Sequence, residues 1–300
     1  MAKADYTLPV ANLLKLGSPI FAVESDKWLD YQQTAGIGSE DIPQLIRLAT
    51  DDKLEDVDLE DDDLDEEEEE QNATLLYGPI HALRALGQLK AQEAAEPLLS
   101  LLDWEDDFVD EDLPRIYALI GPAANPILAE YVAKHNQEED ILPILFAVDC
   151  ITAIGKQHPQ AQAECSDVLL RQLELYKEND QELNACLIIG LAAFKAEKAL
   201  PLIETVFNED KVDILHIDWD TTQFEFGLID EATYKQREPI NNEKRKTLHE
   251  SLLGPLPKFL SEIPPPVTPK KNKLKVGAKD KAKTKRKIAD ASKKKNRKRK

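Results

Sequence analysis

An all-α chain, arranged as an α-solenoid of helical hairpins, is the fold class this sequence predicts, and three observations predict it. Glycines close to the ends of apolar, helix-periodic stretches recur at Gly87, Gly121, Gly155 and Gly190, spaced 34, 34 and 35 residues apart. A fixed period in that range marks tandem helical units that stack on their neighbours. The same offsets before each glycine are apolar: Leu86, Ile120, Ile154 and Ile189 at one residue, Leu83, Tyr117, Ile151 and Cys186 at four, Ala82, Ile116, Cys150 and Ala185 at five. On a helix those offsets share one face, so they predict a core stripe. Prolines recur at Pro79, Pro97, Pro114, Pro126, Pro143 and Pro201. They are expected at helix starts, where the missing N–H costs nothing and the fixed φ is already helical.

The second helix of each unit carries a shared phrase. Ala94-Ala95-Glu96-Pro97-Leu98-Leu99, Ala123-Ala124-Asn125-Pro126-Ile127-Leu128 and Lys198-Ala199-Leu200-Pro201-Leu202-Ile203 are three versions of it. These phrases resemble HEAT-like repeats of the short kind found in phycobilisome-lyase-type proteins, over residues 74–210. Tetratricopeptide repeats share the period but require an aromatic and Ala/Gly pattern absent here. Within the array, Asp110-Glu111-Asp112-Leu113-Pro114-Arg115-Ile116 resembles an uncharacterised bacterial family of HEAT-like proteins. The resemblance implies a fold and supplies no activity. One branch of the repeat family joins bilin chromophores to phycobiliproteins, and similarity of repeats alone does not carry that lyase chemistry to this chain.

In chain order, residues 1–50 read as an N-terminal helical cap. Short helices are expected at 9–16 and 25–31, a break at Gly36-Ile37-Gly38, and then a helix capped by Ser39 through Ile42, Leu45, Ile46 and Ala49. Residues 51–73 read as an acidic, disordered linker, because 15 acids between 51 and 70 face only Lys53 and repel one another. The array comes next, at 74–210. Residues 211–262 read as a C-terminal cap. Alternation of Leu215, Ile217 and Trp219 with His216, Asp218 and Asp220 predicts a short extended segment or hairpin there. His216, Asp218 and Asp220 on one face are metal-ligand types, yet an acidic edge that blunts strand pairing explains them as well. Amphipathic helices are expected over 231–259, with Leu248, Leu252 and Leu253 inward. Residues 263–300 read as a stiff proline spacer and a basic, disordered tail. In that tail Lys275-Val276-Gly277-Ala278-Lys279-Asp280 resembles the opening of the zinc-binding SEC-C motif, but the cysteines and histidine that would hold zinc are absent.

Charge separates the chain into two parts. Residues 270–300 carry 17 Lys/Arg and two acids, while the whole chain has a net charge of −19, so an acidic body carries a basic tail. No apolar run approaches the ~20 residues of a membrane span, and no charged-then-apolar leader opens the sequence, so a cytoplasmic location and no membrane partner are expected. Cys150, Cys165 and Cys186 lack the spacing of a metal knuckle or redox pair and read as reduced core residues. There is no Gly-rich phosphate loop, nucleophile elbow or HExxH, so neither an enzyme nor a cofactor is expected.

Two function classes remain. The first is a non-enzymatic interaction scaffold whose acidic helical surface takes a protein partner with a basic surface. Its candidate contacts are Asp103, Trp104, Asp106, Asp107, Phe108 and Asp110, although Trp104 and Phe108 can equally staple the inter-repeat loop. The second is nonspecific nucleic-acid or ribonucleoprotein association through Lys285, Arg286, Lys287, Lys293, Lys294, Lys295, Arg297, Lys298, Arg299 and Lys300, which release counterions from phosphate. The same tail can instead fold back on the acidic linker. One further pattern is a polar column six residues before each glycine: His81, Arg115, Asp149 and Asn184. Neighbouring helices lie about 8–10 Å apart, which predicts a structural ladder in which Arg115 pairs with Asp149.

Overall fold

The computed structural model describes residues 6–19, 27–51, 66–104, 106–136, 140–238 and 241, with the side chains of 66–73 and 107 excepted. The described residues are mostly α-helical, and no strand occurs among them. The α-helices include α1 (Tyr31–Ala35), α2 (Ile42–Ala49), α3 (Glu66–Leu89), α4 (Asp107–Ile120), α5 (Asn125–His135), α6 (Leu142–Gln157), α7 (Gln162–Leu173), α8 (Gln181–Ala193), α9 (Leu200–Asn208) and α10 (Trp219–Glu225). A 3-10 helix, Pro97–Asp103, stands between α3 and α4, and another, Val10–Lys15, packs on α3.

The long helices pack in chain order: α3 on α4, α4 on α6, and α6 on α8. Between them, α5 touches α6 and α7, α7 touches α6 and α8, and the Pro97–Asp103 helix lies on α6. One cluster of buried apolar side chains runs from Val10 to Phe226. The stripe read from the sequence supplies much of it, with Leu83, Tyr117 and Ile151 at most 1% exposed. Each such Leu or Ile contributes on the order of 1.5–3 kcal/mol by leaving water.

The recurring glycines serve close packing. A Cβ on Gly155 would fall 2.5 Å from the Phe194 ring, and one on Gly190 would fall 2.6 Å from Leu169 and 2.7 Å from Thr152. Gly121 instead ends α4 at φ +94°, beside His158 of the next turn, which donates from Nε2 to the Ala118 carbonyl at 2.8 Å. Tyr117 ties α4 to the preceding unit by donating to the Ala95 carbonyl at 2.7 Å.

Several local expectations are corrected. Pro97, Pro126, Pro143 and Pro201 do open helices, but Pro79 and Pro114 lie inside α3 and α4. In α4 the Asp106 carboxylate accepts from the Phe108 and Val109 amides at 2.8 and 3.1 Å, so the helix starts well before its proline. Similarly, α3 begins at Glu66 and takes up the last residues of the expected disordered linker. Glutamate is a good helix former, and carboxylates suit a helix N-terminus. Residues 52–65 lie outside the described residues. In the N-terminal cap, residues 25 and 26 of the helix expected at 25–31 lie outside the described residues, 28–30 are not helical, and α1 starts at Tyr31, capped by Asp30, whose carboxylate accepts from the Gln33 amide at 3.0 Å. Ser39 makes no cap; Asp41 accepts from the Gly38 amide at 2.8 Å.

The hairpin expected near residue 215 is also absent. Asp218 accepts from the Thr221 amide at 2.7 Å and starts α10, so the alternating run is the approach to a capped helix. Residues 231–238 are helical, whereas Leu248, Leu252 and Leu253 lie outside the described residues.

Candidate functional site

The predicted ladder does not form: its four members do not bond to one another, and Arg115 does not pair with Asp149. Arg115 instead bonds within α4, to Glu111 at 3.0 Å and Asp112 at 3.5 Å. Acids three and four residues earlier lie on the same face of the helix, within reach of the guanidinium. The cross-helix pair is another one. Arg84 of α3 donates from Nε to the Asp112 carboxylate of α4 at 2.5 Å, with both side chains almost fully buried. Burial pushes the Asp112 carboxyl upward and the Arg84 guanidinium opposes that shift.

His81 sits beside this pair, buried at 1% exposure. Its Nδ1 accepts from the Tyr31 hydroxyl at 2.8 Å and its Nε2–H donates to the Gly17 carbonyl at 2.9 Å, an arrangement that assigns the neutral tautomer. Burial holds its pKa below the ordinary value; the Gly17 bond opposes this and the Arg84 charge adds to it. The unfolded chain therefore binds the His81 proton at a pH where the folded chain does not. Stability from this group is complete above about 6.5 and is lost as pH falls below it. Melting temperature measured against pH should show that decline in the parent chain and a shallower one in His81→Gln.

Asn184, with 0% exposure, is the node of a buried amide network. It donates from Nδ2 to the Tyr176 and Lys211 carbonyls at 2.9 and 2.8 Å, and its Oδ1 accepts from Asn179 at 3.0 Å. Asn179 in turn exchanges bonds with Gln172.

Asp149 alone of the four is exposed, and it makes no ion pair among the described residues. Its surface is open, yet crowding by protein atoms pushes its carboxyl upward, with Lys156 opposing. Cys186 lies within its field, together with Glu182 and Asp213. Burial first, and then those three carboxylates (Asp149, Glu182, Asp213 in that order), push the Cys186 thiol up to about 12. The thiol is therefore uncharged at neutral pH and not a nucleophile. His216 bridges two of the acids, 3.1 Å from Glu182 and 3.1 Å from Asp213.

These three acids act on Cys186, which belongs to the last member of the core stripe. Leu86, Ile120 and Ile154 are covered, but Ile189 at the matching position is 38% exposed and Cys186 only half-buried. No further long helix succeeds α8 among the described residues, and the short α10 packs on it in their place. A little further along, Glu204, Phe207, Asn208, Asp218, Trp219 and Asp220 line a cleft of about 350 Å3. The Phe207 and Trp219 rings stand 5.5 Å apart there. Asp218 is occupied as the cap of α10, and Asp220 accepts from Arg237 at 2.7 Å and Asn241 at 2.9 Å.

The acids and aromatics singled out around residues 103–110 divide between structural and open positions. Asp106 caps α4, Phe108 is buried edge-on to Tyr77 at 6.2 Å, and Trp104 packs partly buried on the core. Asp103 is exposed and Asp110 half-buried, while the side chain of Asp107 is outside the description. His216, Asp218 and Asp220 do not converge as metal ligands, and no group of three or more suitable ligands occurs among the described residues. Cys150 and Cys165 are buried, unpaired thiols. The tail cations, Lys285 to Lys300, lie outside the described residues. No described helix is long and apolar enough to cross a membrane. Comparison with protein-family models, with curated proteins and with solved structures finds no match for this chain.

Proposed function

We propose that this chain is a non-enzymatic interaction scaffold: a solenoid of HEAT-like helical hairpins that takes a basic segment of a partner protein on an acidic surface. The chain-order packing of α3, α4, α6 and α8 supports the solenoid reading. One observation carries the function. The apolar stripe emerges exposed at Ile189 and half-covered at Cys186 of α8, and the Asp149, Glu182 and Asp213 carboxylates act on Cys186, with His216 bonded to the last two. An apolar centre with a charged surround suits a partner that brings both aliphatic stems and positive charge, as lysine and arginine do.

The test is titration of the full chain with a lysine-rich unstructured peptide at low and at physiological salt. Saturable binding that weakens with salt is expected. Asp149→Asn combined with Glu182→Gln should reduce affinity about three- to tenfold, since each exposed charge contributes at most ~1 kcal/mol. Equal binding by the double variant, or by an uncharged peptide, would contradict this reading.

A second reading is favoured by 17 Lys/Arg within residues 270–300. Such a tail binds polyanions in a steeply salt-dependent, sequence-indifferent way. RNA and DNA binding by the full chain that disappears in a chain ending at Pro269 would establish it.

A further inference from the structure

The open side chains of α6 and α8 form a pattern that specifies the conformation of a docked segment. Within α6 the exposed or half-buried positions include Phe146, Asp149 and Ala153, and within α8 they include Cys186, Ile189 and Ala193. Each set steps by three and four residues, so each lies along one face of its helix. The two faces adjoin. α6 packs on α8, and a Cβ on Gly190 of α8 would fall 2.7 Å from Thr152 of α6. After burial, the Asp149 charge is the strongest influence on the Cys186 thiol, ahead of Glu182 on the thiol's own helix. Five of the six side chains are apolar or nearly so, and the sixth is an acid. Asp149 makes no hydrogen bond or ion pair among the described residues, while crowding pushes its carboxyl upward. It is an acid partly stripped of water, with no cation bonded to it, on an apolar surface.

Charge complementarity names one feature of the occupant, a lysine or arginine opposite Asp149. Backbone chemistry names the other. The surface is made of helix sides, whose N–H and C=O groups are spent within the helices, and no strand edge occurs among the described residues. An extended segment laid on it would hold its own backbone groups unpaired against apolar side chains, whereas a helix arrives with those bonds already made. Two helices packed about 8–10 Å apart leave a valley that a third helix fills with anchors at i, i+4 and i+7. We propose that the valley between α6 and α8 docks an amphipathic helix of a partner protein, with apolar anchors on Phe146 and Ile189 and one basic residue on Asp149. This rests on the basic-segment reading above and adds a conformation to it.

The experiment titrates the full chain, at low and at physiological salt, with two peptides of about 15 residues and identical composition, read by fluorescence anisotropy and circular dichroism. One peptide carries leucines at i, i+4 and i+11, a lysine at i+7 and further lysines at its ends, with alanine elsewhere. The other has the same residues scrambled so that no helical face is apolar. The patterned peptide is expected to bind at least about tenfold more tightly and to become helical on binding. Asp149→Asn should weaken it about tenfold, since the covered carboxylate pairs away from water, and Ile189→Ser about fivefold. Melting temperatures near the parent's would show that both variants lose a contact and not the fold. Equal or tighter binding by the scrambled peptide overturns the docked helix and leaves the basic-segment reading standing. So does binding of the patterned peptide without helix formation, or with parent-like affinity in Asp149→Asn. Binding of neither peptide at low salt contradicts both.

Discussion

Replacing Asp112 by alanine is expected to cost about 3–5 kcal/mol of unfolding free energy, because it strands a buried guanidinium. The Arg84 side chain is 3% exposed and Asp112 is its ion-pair partner across the α3–α4 contact. The Trp28 ring offers a face to the cation but no charge. Loss of the arginine is milder, since Arg115 stays 3.5 Å from Asp112 and the acid can take up a proton. Arg84→Met with Asp112→Leu removes both charges together, and such replacements are often neutral or stabilising. Urea unfolding separates these outcomes: a large fall in midpoint at unchanged slope for Asp112→Ala, and recovery of most of it in the double variant. A fall of less than about 1 kcal/mol for the single variant would mean that Arg84 reaches water or another acceptor.

Asn184→Ala is expected to cost about 2–4 kcal/mol, as it leaves two buried groups and one part-buried group without a partner, at ~1–3 kcal/mol for each buried one before relaxation. The Tyr176 and Lys211 carbonyls each lose a donor, and the Asn179 amide loses one of its acceptors. The loss should be local in character. Asn184 ties α8 to both the 176–179 turn and the segment after α9, so hydrogen exchange near Lys211 should rise more than exchange in α4 or α6. Uniform exchange throughout would assign Asn184 a packing role only.

Much of the fold was legible because helical periodicity is a local signal. The apolar offsets before Gly87, Gly121 and Gly155 map onto buried positions, and the glycine spacing reflects real close approaches at Gly155 and Gly190. The pairing of polar groups was not legible. Arg84 lies three residues before its glycine and Asp112 nine before the next, so no column of equivalent positions connects them. Side-chain reach and helix offset decide such pairs, and neither is written in the repeat. The run around Trp219 misled for a related reason: period-two alternation resembled a strand, while Asp218 three residues before Thr221 was the helix-cap signal. The candidate surface was legible only as excess acid. That Ile189 departs from Leu86, Ile120 and Ile154 depends on which elements pack against α8, and the repeat pattern does not encode them.

Docking of a basic partner segment where the stripe emerges on α8 can be read by zero-length carbodiimide cross-linking of the chain to a bound lysine-rich peptide, followed by mass spectrometry. Cross-links concentrated at Asp149, Glu182 and Asp213 are expected. Cross-links spread over the exposed acids in general, or gathered at Asp103 and Asp110, would contradict it.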